Sequence, residues 1–277
     1  LRLPLERIKE SLADLHSLKI SEGEIVSKLQ EAKIMFGKDY EAIKVLIQSA
    51  KIVYADETGW RMDGQNWWLW AFVNERGIQY LLEDTRGKGI AEQALGDKTD
   101  RVIISDGYAA YKNLPGDKQQ CWVHLLRSAK IHSPPLYCKL AILYHQLLRE
   151  LEKPPNERNK QYFRDRLDTL AEKKDQNLGN LKVQARITRD QDALLTCLDY
   201  MDVLPENNTA ERAIRPQVVM RKIFGGSRSI DGARAHAVNT SVIETMKKQN
   251  PDKTFFGIML PLLEKRIKER HDSHSEL

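Results

Sequence analysis

Three carboxylates stand where strands and a helix could present them to a metal ion. Asp56 follows the β-prone run Ile52-Val53-Tyr54-Ala55, and Asp106 follows Val102-Ile103-Ile104-Ser105, so each is expected at the C-terminal end of a strand. An acidic residue after a strand is also a common turn residue, above all when glycine follows, as Gly107 follows Asp106. Two such aspartates leaving one sheet favour a cation site, because hard cations such as Mg²⁺ prefer oxygen ligands and often take only one or two carboxylates. Glu211 lies in Pro205-Glu206-Asn207-Asn208-Thr209-Ala210-Glu211-Arg212-Ala213-Ile214-Arg215-Pro216, where Asn207 or Asn208 should cap a helix. Standing three residues after Asn208, it has a plain alternative role as the reciprocal residue of a capping box. Asn207 and Glu211 also share a helical face, and Arg212, Arg215, Arg221 and Lys222 surround them with positive charge. A carboxylate set among phosphate-binding cations suits a phosphodiester substrate. In phosphoryl transfer, two metal ions about 3.5–4 Å apart can activate the attacking oxygen and stabilise the leaving one.

Other groupings have two readings each. Cys121 and His124 form a Cys-x-x-His that would be half of a zinc site, but no second pair at ligand spacing follows, and zinc is not expected. His124 and Arg127 either lie near the acidic centre, contacting a phosphodiester substrate or supporting the site, or His124 is a satisfied polar neighbour of a buried Cys121. Trp60, Trp67, Trp68 and Trp70 can stack on unpaired bases or simply cover the sheet. Lys222, Arg228 and Arg234 fall around Gly225-Gly226, where backbone can approach a phosphate closely; ordinary solvated charge is the alternative.

The elements that would position these groups follow from periodicity. Residues 1–50 read as a helical lead-in, with Leu5, Ile8, Leu12 and Leu15 and then Ile25, Leu29, Ala32 and Phe36 at helical spacing. Ser21 and Glu24 make a capping box there. The lead-in is either a plain packing unit or part of a DNA-binding region such as a helix-turn-helix. Residues 51–133 carry strands at Ile52 to Ala55, Asn66 to Val73, Ile78 to Leu82 and Arg101 to Ser105, with a helix at Ile90 to Leu95 and a further strand at Gln119 to Val123. Strands a hairpin apart followed by a helical crossover describe a mixed α/β sheet. Residues 134–203 are helical, punctuated by Pro134-Pro135 and Pro154-Pro155, and read as an all-helical insertion. Residues 204–263 return to the first unit with the third acid, and residues 264–277 form a polar tail whose last dozen residues read as disordered.

Composition bounds the setting. The 277 residues are 41% hydrophobic, ample for a buried core, and 30% charged with a net charge of only +5, so basic character matters only where it clusters. Three scattered cysteines argue against a disulfide framework and for a reducing, cytoplasmic location. The longest apolar stretch, Phe255 to Leu263, is far short of the roughly 20 residues that span a bilayer, so no membrane is expected. The chain opens on Leu1 inside an amphipathic pattern, as a piece of a longer protein would.

The motifs taken in order resemble the transposases of the insertion-sequence-66 family, within the DDE superfamily of ribonuclease-H-like enzymes. The resemblance rests on Asp56-Glu57-Thr58-Gly59-Trp60 with Asn66-Trp67-Trp68-Leu69-Trp70, on Ser105-Asp106-Gly107 with Ala110-Tyr111, and on Cys121 to Arg127. It continues through Asn207 to Pro216 and Arg221-Lys222 to Ser229. It implies a ribonuclease-H-like fold interrupted by a helical insertion, and a metal-binding acidic triad of Asp56, Asp106 and Glu211 holding Mg²⁺ or Mn²⁺, two ions in all. It further implies cleavage and strand transfer at insertion-sequence DNA ends, a homo-oligomer on that DNA in the nucleoid, and small accessory proteins of the same element as partners. A truncated or repurposed DNA-binding derivative without catalysis is the competing expectation. A haloacid-dehalogenase-like phosphatase is disfavoured, because Thr58 stands where that chemistry needs a second aspartate.

Overall fold

Helices occupy the chain up to the first strand in the computed structural model, which describes residues 3–172 and 177–275. They are α1 (Leu5–His16), α2 (Glu22–Met35) and α3 (Gly37–Ser49). The capping box at the start of α2 forms as expected: the Ser21 hydroxyl accepts from the Glu24 amide, and the Glu24 carboxylate accepts from the Ser21 amide at 2.7 Å. Strands β1 (Ile52–Met62), β2 (Gln65–Val73) and β3 (Ile78–Glu83) follow, then α4 (Lys88–Leu95), β4 (Val102–Ser105), α5 (Ala109–Lys112) and β5 (Asp117–Gln120). The remainder is helical: α6 (Trp122–His132), α7 (Pro134–Glu150), α8 (Lys160–Ala171), α9 (Leu178–Leu195), α10 (Asn208–Phe224), α11 (Ile230–Gln249) and α12 (Phe255–Ser275). The strands form one five-stranded mixed sheet in the order β3-β2-β1-β4-β5. Parts of the expected lead-in, insertion and tail, at residues 1–2, 173–176 and 276–277, lie outside the described residues.

Contacts group the chain into two compact units, the first made of residues 1–50, 55–96 and 209–277 and the second of residues 51–54 and 97–208. In the first, β1 turns into β2 through Asp63 and Gly64, whose φ angles of 45° and 78° suit a tight hairpin turn. β2 and β3 are antiparallel, with Trp70 opposite Leu81 and Phe72 opposite Gln79. Asn74 shapes their connection: its Oδ1 accepts from the amides of Arg76 and Gly77, and its Nδ2 donates to the Leu46 carbonyl. The outward amides of the edge strand β3 are met by a helix. Ile78 N–H donates to Thr245 Oγ1 and Tyr80 N–H to Ser241 Oγ, 2.9 and 2.8 Å long, from residues one turn apart on α11.

In the second unit the start of β1 pairs in parallel with β4, Ile52 opposite Val102 and Tyr54 opposite Ile104, and β4 pairs in parallel with β5. Trp122, fully buried, donates its indole N–H to the Leu194 carbonyl, and Gln119 holds the amide of Cys197. Pro134 and Pro135 begin α7, where a first helical turn needs no amide from them.

Three expectations are corrected. Strand β1 continues to Met62, so Asp56 lies inside the strand and not at its end. The fifth strand is Asp117–Gln120, and Trp122 and Val123 belong to α6, because Trp122, Leu125 and Ala129 are buried at helical spacing. The chain end expected to be disordered is helical as far as Ser275.

Candidate active site

Asp56 and Glu211 belong to the first unit. Asp56 is half-buried on β1, and one carboxylate oxygen accepts the Glu57 amide at 2.9 Å. Successive strand residues face opposite ways, and the neighbour Glu57 is committed elsewhere. Its carboxylate, 1% exposed, accepts from Nε and Nη2 of Arg86 at 3.0 and 2.5 Å. Of this adjacent acidic pair, Asp56 is therefore the one suited to a cation. Glu211 is half-buried near the start of α10. Because α10 begins at Asn208, Asn207 precedes the first turn and Glu211 is its fourth residue, one position too late for the reciprocal role in a capping box. Arg212, Arg215 and Lys222 are exposed along the same helix, and Arg228 is exposed beyond it. Arg221 instead turns back to β1 and donates to the Gly59 carbonyl.

The loop after α10 is fixed against β1. Ser227 N–H donates to the Arg61 carbonyl, Asp63 N–H to the Ser227 carbonyl, and the Trp60 indole to Ser227 Oγ at 3.1 Å. Gly226 has φ +104°, and a Cβ there would collide with the Arg61 carbonyl, so packing on β1 already requires this glycine. Gly226→Ala is expected to cost about 1–3 kcal/mol in urea unfolding from the backbone strain alone; an unchanged midpoint would show that the loop is not held there.

Behind Trp60 lies His236, stacked on the indole at 5.2 Å and paired through Nε2 with Gln217 Oε1 at 2.7 Å. Burial pushes its pKa down to about 4, from an ordinary value near 6.5. Between these values the unfolded chain takes up a proton that the folded chain refuses. Stability should therefore fall as pH drops from about 6.5 to about 4, by on the order of 3 kcal/mol. Thermal melts across that window should show this slope in the wild type and lose most of it in His236→Gln; equal slopes would refute it.

In the second unit, Asp106 sits one residue past β4, half-buried, and its Oδ1 accepts the Tyr108 amide at 2.8 Å. Arg186 of α9 donates to the Asp106 carbonyl at 3.1 Å and to the His124 carbonyl at 3.4 Å, so one guanidinium gathers the second acid and the α6 histidine. Burial pulls the Arg186 pKa below its usual range, and the nearby Asp190, 3.8 Å away, acts against that. His124 is half-buried and Arg127, three residues on along α6, is exposed. Asn207 is fully buried and its amide donates to Cys121 Sγ at 3.3 Å, while Asn208 donates to Glu206. Cys121 thus serves as a packed acceptor at the start of α6. Arg186 and Arg86 are the residues the sequence reading misses. For Arg186 the available signal is Asp190 four residues later, beside the buried positions Val183 and Ile187.

Among the described residues, no helix is long and apolar enough to cross a membrane. A curated relative, "Uncharacterized protein y4jO" of Sinorhizobium fredii, is 26% identical over an alignment of 158 residues that covers 54% of this chain and 49% of that protein. The chain spans about half the length of the relative it matches. The profile of the Transposase IS66 family matches residues 1–235, a span that takes in β1, β4 and α10 with all three acids. On that match the chain belongs to the Transposase IS66 family.

Proposed function

We propose that the chain is the catalytic part of a DNA transposase that cuts and joins insertion-sequence ends by metal-dependent phosphoryl transfer, with Asp56, Asp106 and Glu211 as the metal-holding acids. The observation that carries this reading is the placement of the first two acids. Each stands two residues beyond Tyr54 or Ile104, a pair on adjacent parallel strands, in a chain of a transposase family. The strand order, with two antiparallel hairpin neighbours on one side of β1 and two parallel strands on the other, supports a ribonuclease-H-like fold. The helices α7 to α9, within residues 134–203, are then the insertion between the second and third acids.

The donor set fits magnesium or manganese: three half-buried carboxylates supply only hard oxygen ligands. Tyr108 N–H, bonded to Oδ1 of Asp106, would steady that carboxylate for a cation. When bound, two such cations supply activation of the attacking oxygen and charge stabilisation at the leaving one. The chain's own groups do the rest. Arg186 fixes the main chain of Asp106 and of His124, which keeps the second acid in place. The exposed Arg127, Arg212, Arg215, Lys222 and Arg228 neutralise DNA phosphates, assisted by the half-buried Arg221, and Asn207 and Asn208 set the start of the helix that carries Glu211. Reaction at two ends calls for at least a dimer on DNA, and small proteins of the same element are candidate partners.

The test is incubation of labelled element-end DNA with the chain and Mg²⁺ or Mn²⁺, against the same mixture with EDTA. Nicked or joined products that need the metal support the reading. DNA binding without product would make the chain a non-catalytic DNA-binding derivative.

A further inference from the structure

Within the first unit the outer part of the β1–β2 hairpin carries a cleft of about 400 Å³. It is lined by Gly59 to Arg61 of β1, by Asn66, Trp67 and Trp68 of β2, and by Arg221 of α10. Its volume lies within the range of small-ligand sites, roughly 300–1,000 Å³. Its chemistry is selective: aromatic faces and guanidinium groups line it, and no carboxylate does. Trp67 and Trp68 are half-buried, unlike Trp60 and Trp70, which lie in the core at 1% and 0% exposure. Arg86 stands over the Trp68 ring, 4.6 Å from its centroid, and pairs with Glu57, so one tryptophan is already braced by a cation. Arg61 donates to Asn66 Oδ1 at 2.5 Å, which ties the two sides of the hairpin together at the rim. Arg221 is anchored on the Gly59 carbonyl.

A flat aromatic platform beside guanidinium groups, with no carboxylate among the lining residues, matches one ligand chemistry: a nucleobase stacked on the indole with its flanking phosphate on an arginine. We propose that this cleft holds one unstacked base of the DNA strand, with Trp68, which shares the Asn66 face of β2, as the stacking face and Arg61 and Arg221 on the neighbouring phosphate. This rests on the reading of the chain as a DNA-acting transposase. The same base could come from a single-stranded end or be swung out of a duplex.

The experiment uses the full chain and end DNA carrying 2-aminopurine at an unpaired position, in two arms, a single-stranded overhang and a mismatch within the duplex, each matched by an abasic control. The expected result is binding at least about ten-fold tighter with the base than without it in one or both arms, with quenched 2-aminopurine fluorescence. Trp68→Ala should remove that advantage and the quenching, and Trp68→Phe should keep most of both. Arg61→Gln, at an exposed position, should lower the slope of log affinity against log salt by about one. Equal affinity for base and abasic DNA, or quenching untouched by Trp68→Ala in a variant with unchanged melting temperature, overturns the cleft proposal while metal-dependent cleavage still stands. Failure to bind either DNA overturns both.

Discussion

Asp106→Asn is expected to lower metal-dependent cleavage of end DNA by about a thousand-fold and to leave the fold as stable as before. The size follows from the several kcal/mol that a bound cation contributes to charge stabilisation in such reactions, at 1.36 kcal/mol for each factor of ten in rate. The specificity follows from the local geometry. Asparagine keeps an oxygen at Oδ1 to accept the Tyr108 amide and keeps the main chain that Arg186 holds, so only the negative charge is lost. Unfolding free energy should stay within about 0.5 kcal/mol of the wild type. DNA affinity should be equal or slightly higher, since one negative charge has been removed near phosphate. Single-turnover cleavage, a filter or anisotropy measurement of binding, and a urea melt separate the three quantities. Cleavage within ten-fold of the wild type would show that Asp106 is a turn residue, as its glycine neighbour alone would suggest.

Arg158→Met should produce the largest loss of stability in the second unit. The Arg158 side chain is buried and donates to five carbonyls, those of Leu151, Lys153, Cys197, Leu198 and Tyr200, at 2.6 to 3.4 Å. It closes the end of α7 and the short 3₁₀ turn Thr196–Asp199 with a single planar group. Methionine fills similar space but leaves those acceptors without their donor. Breaking a buried charged network of this kind costs about 3–5 kcal/mol, and a melting temperature lower by on the order of 10 °C is expected. Arg158→Lys should recover little of it, because a single ammonium cannot reach acceptors spread around a planar fork. A shift below about 2 °C would mean that water replaces the guanidinium without penalty.

Local signals in the sequence give most of the elements and little of the wiring. Ser21 and Glu24 announce α2, and the aromatic and β-branched runs announce β2, β3 and β4, because each signal is contained within one short segment. The extension of β1 through Asp56, Glu57, Thr58 and Gly59 is invisible to propensity, since these residues are strand-neutral or worse and are held by sheet neighbours. Trp122 and Val123 are ambiguous in sequence because a short apolar run fits a buried strand and a helix start equally well. At the candidate site, the acids stand out by type and spacing. Their supporting cations do not: Arg86 meets Glu57 across 29 residues, and Arg186 reaches Asp106 across 80, distances over which an arginine in sequence is indistinguishable from surface charge.

The meeting of α11 with β3 bears on how copies of this chain can associate. Ser241 and Thr245 take the places that carbonyls of a further strand would occupy, so the helix plugs this border with two hydroxyls. A visiting strand, whether from another copy or from a partner peptide, finds those amides already engaged and cannot zip on without prising α11 away. Any pairing of copies at this border therefore has to be built from side-chain contacts, because the amides of Ile78 and Tyr80 are closed to a further strand.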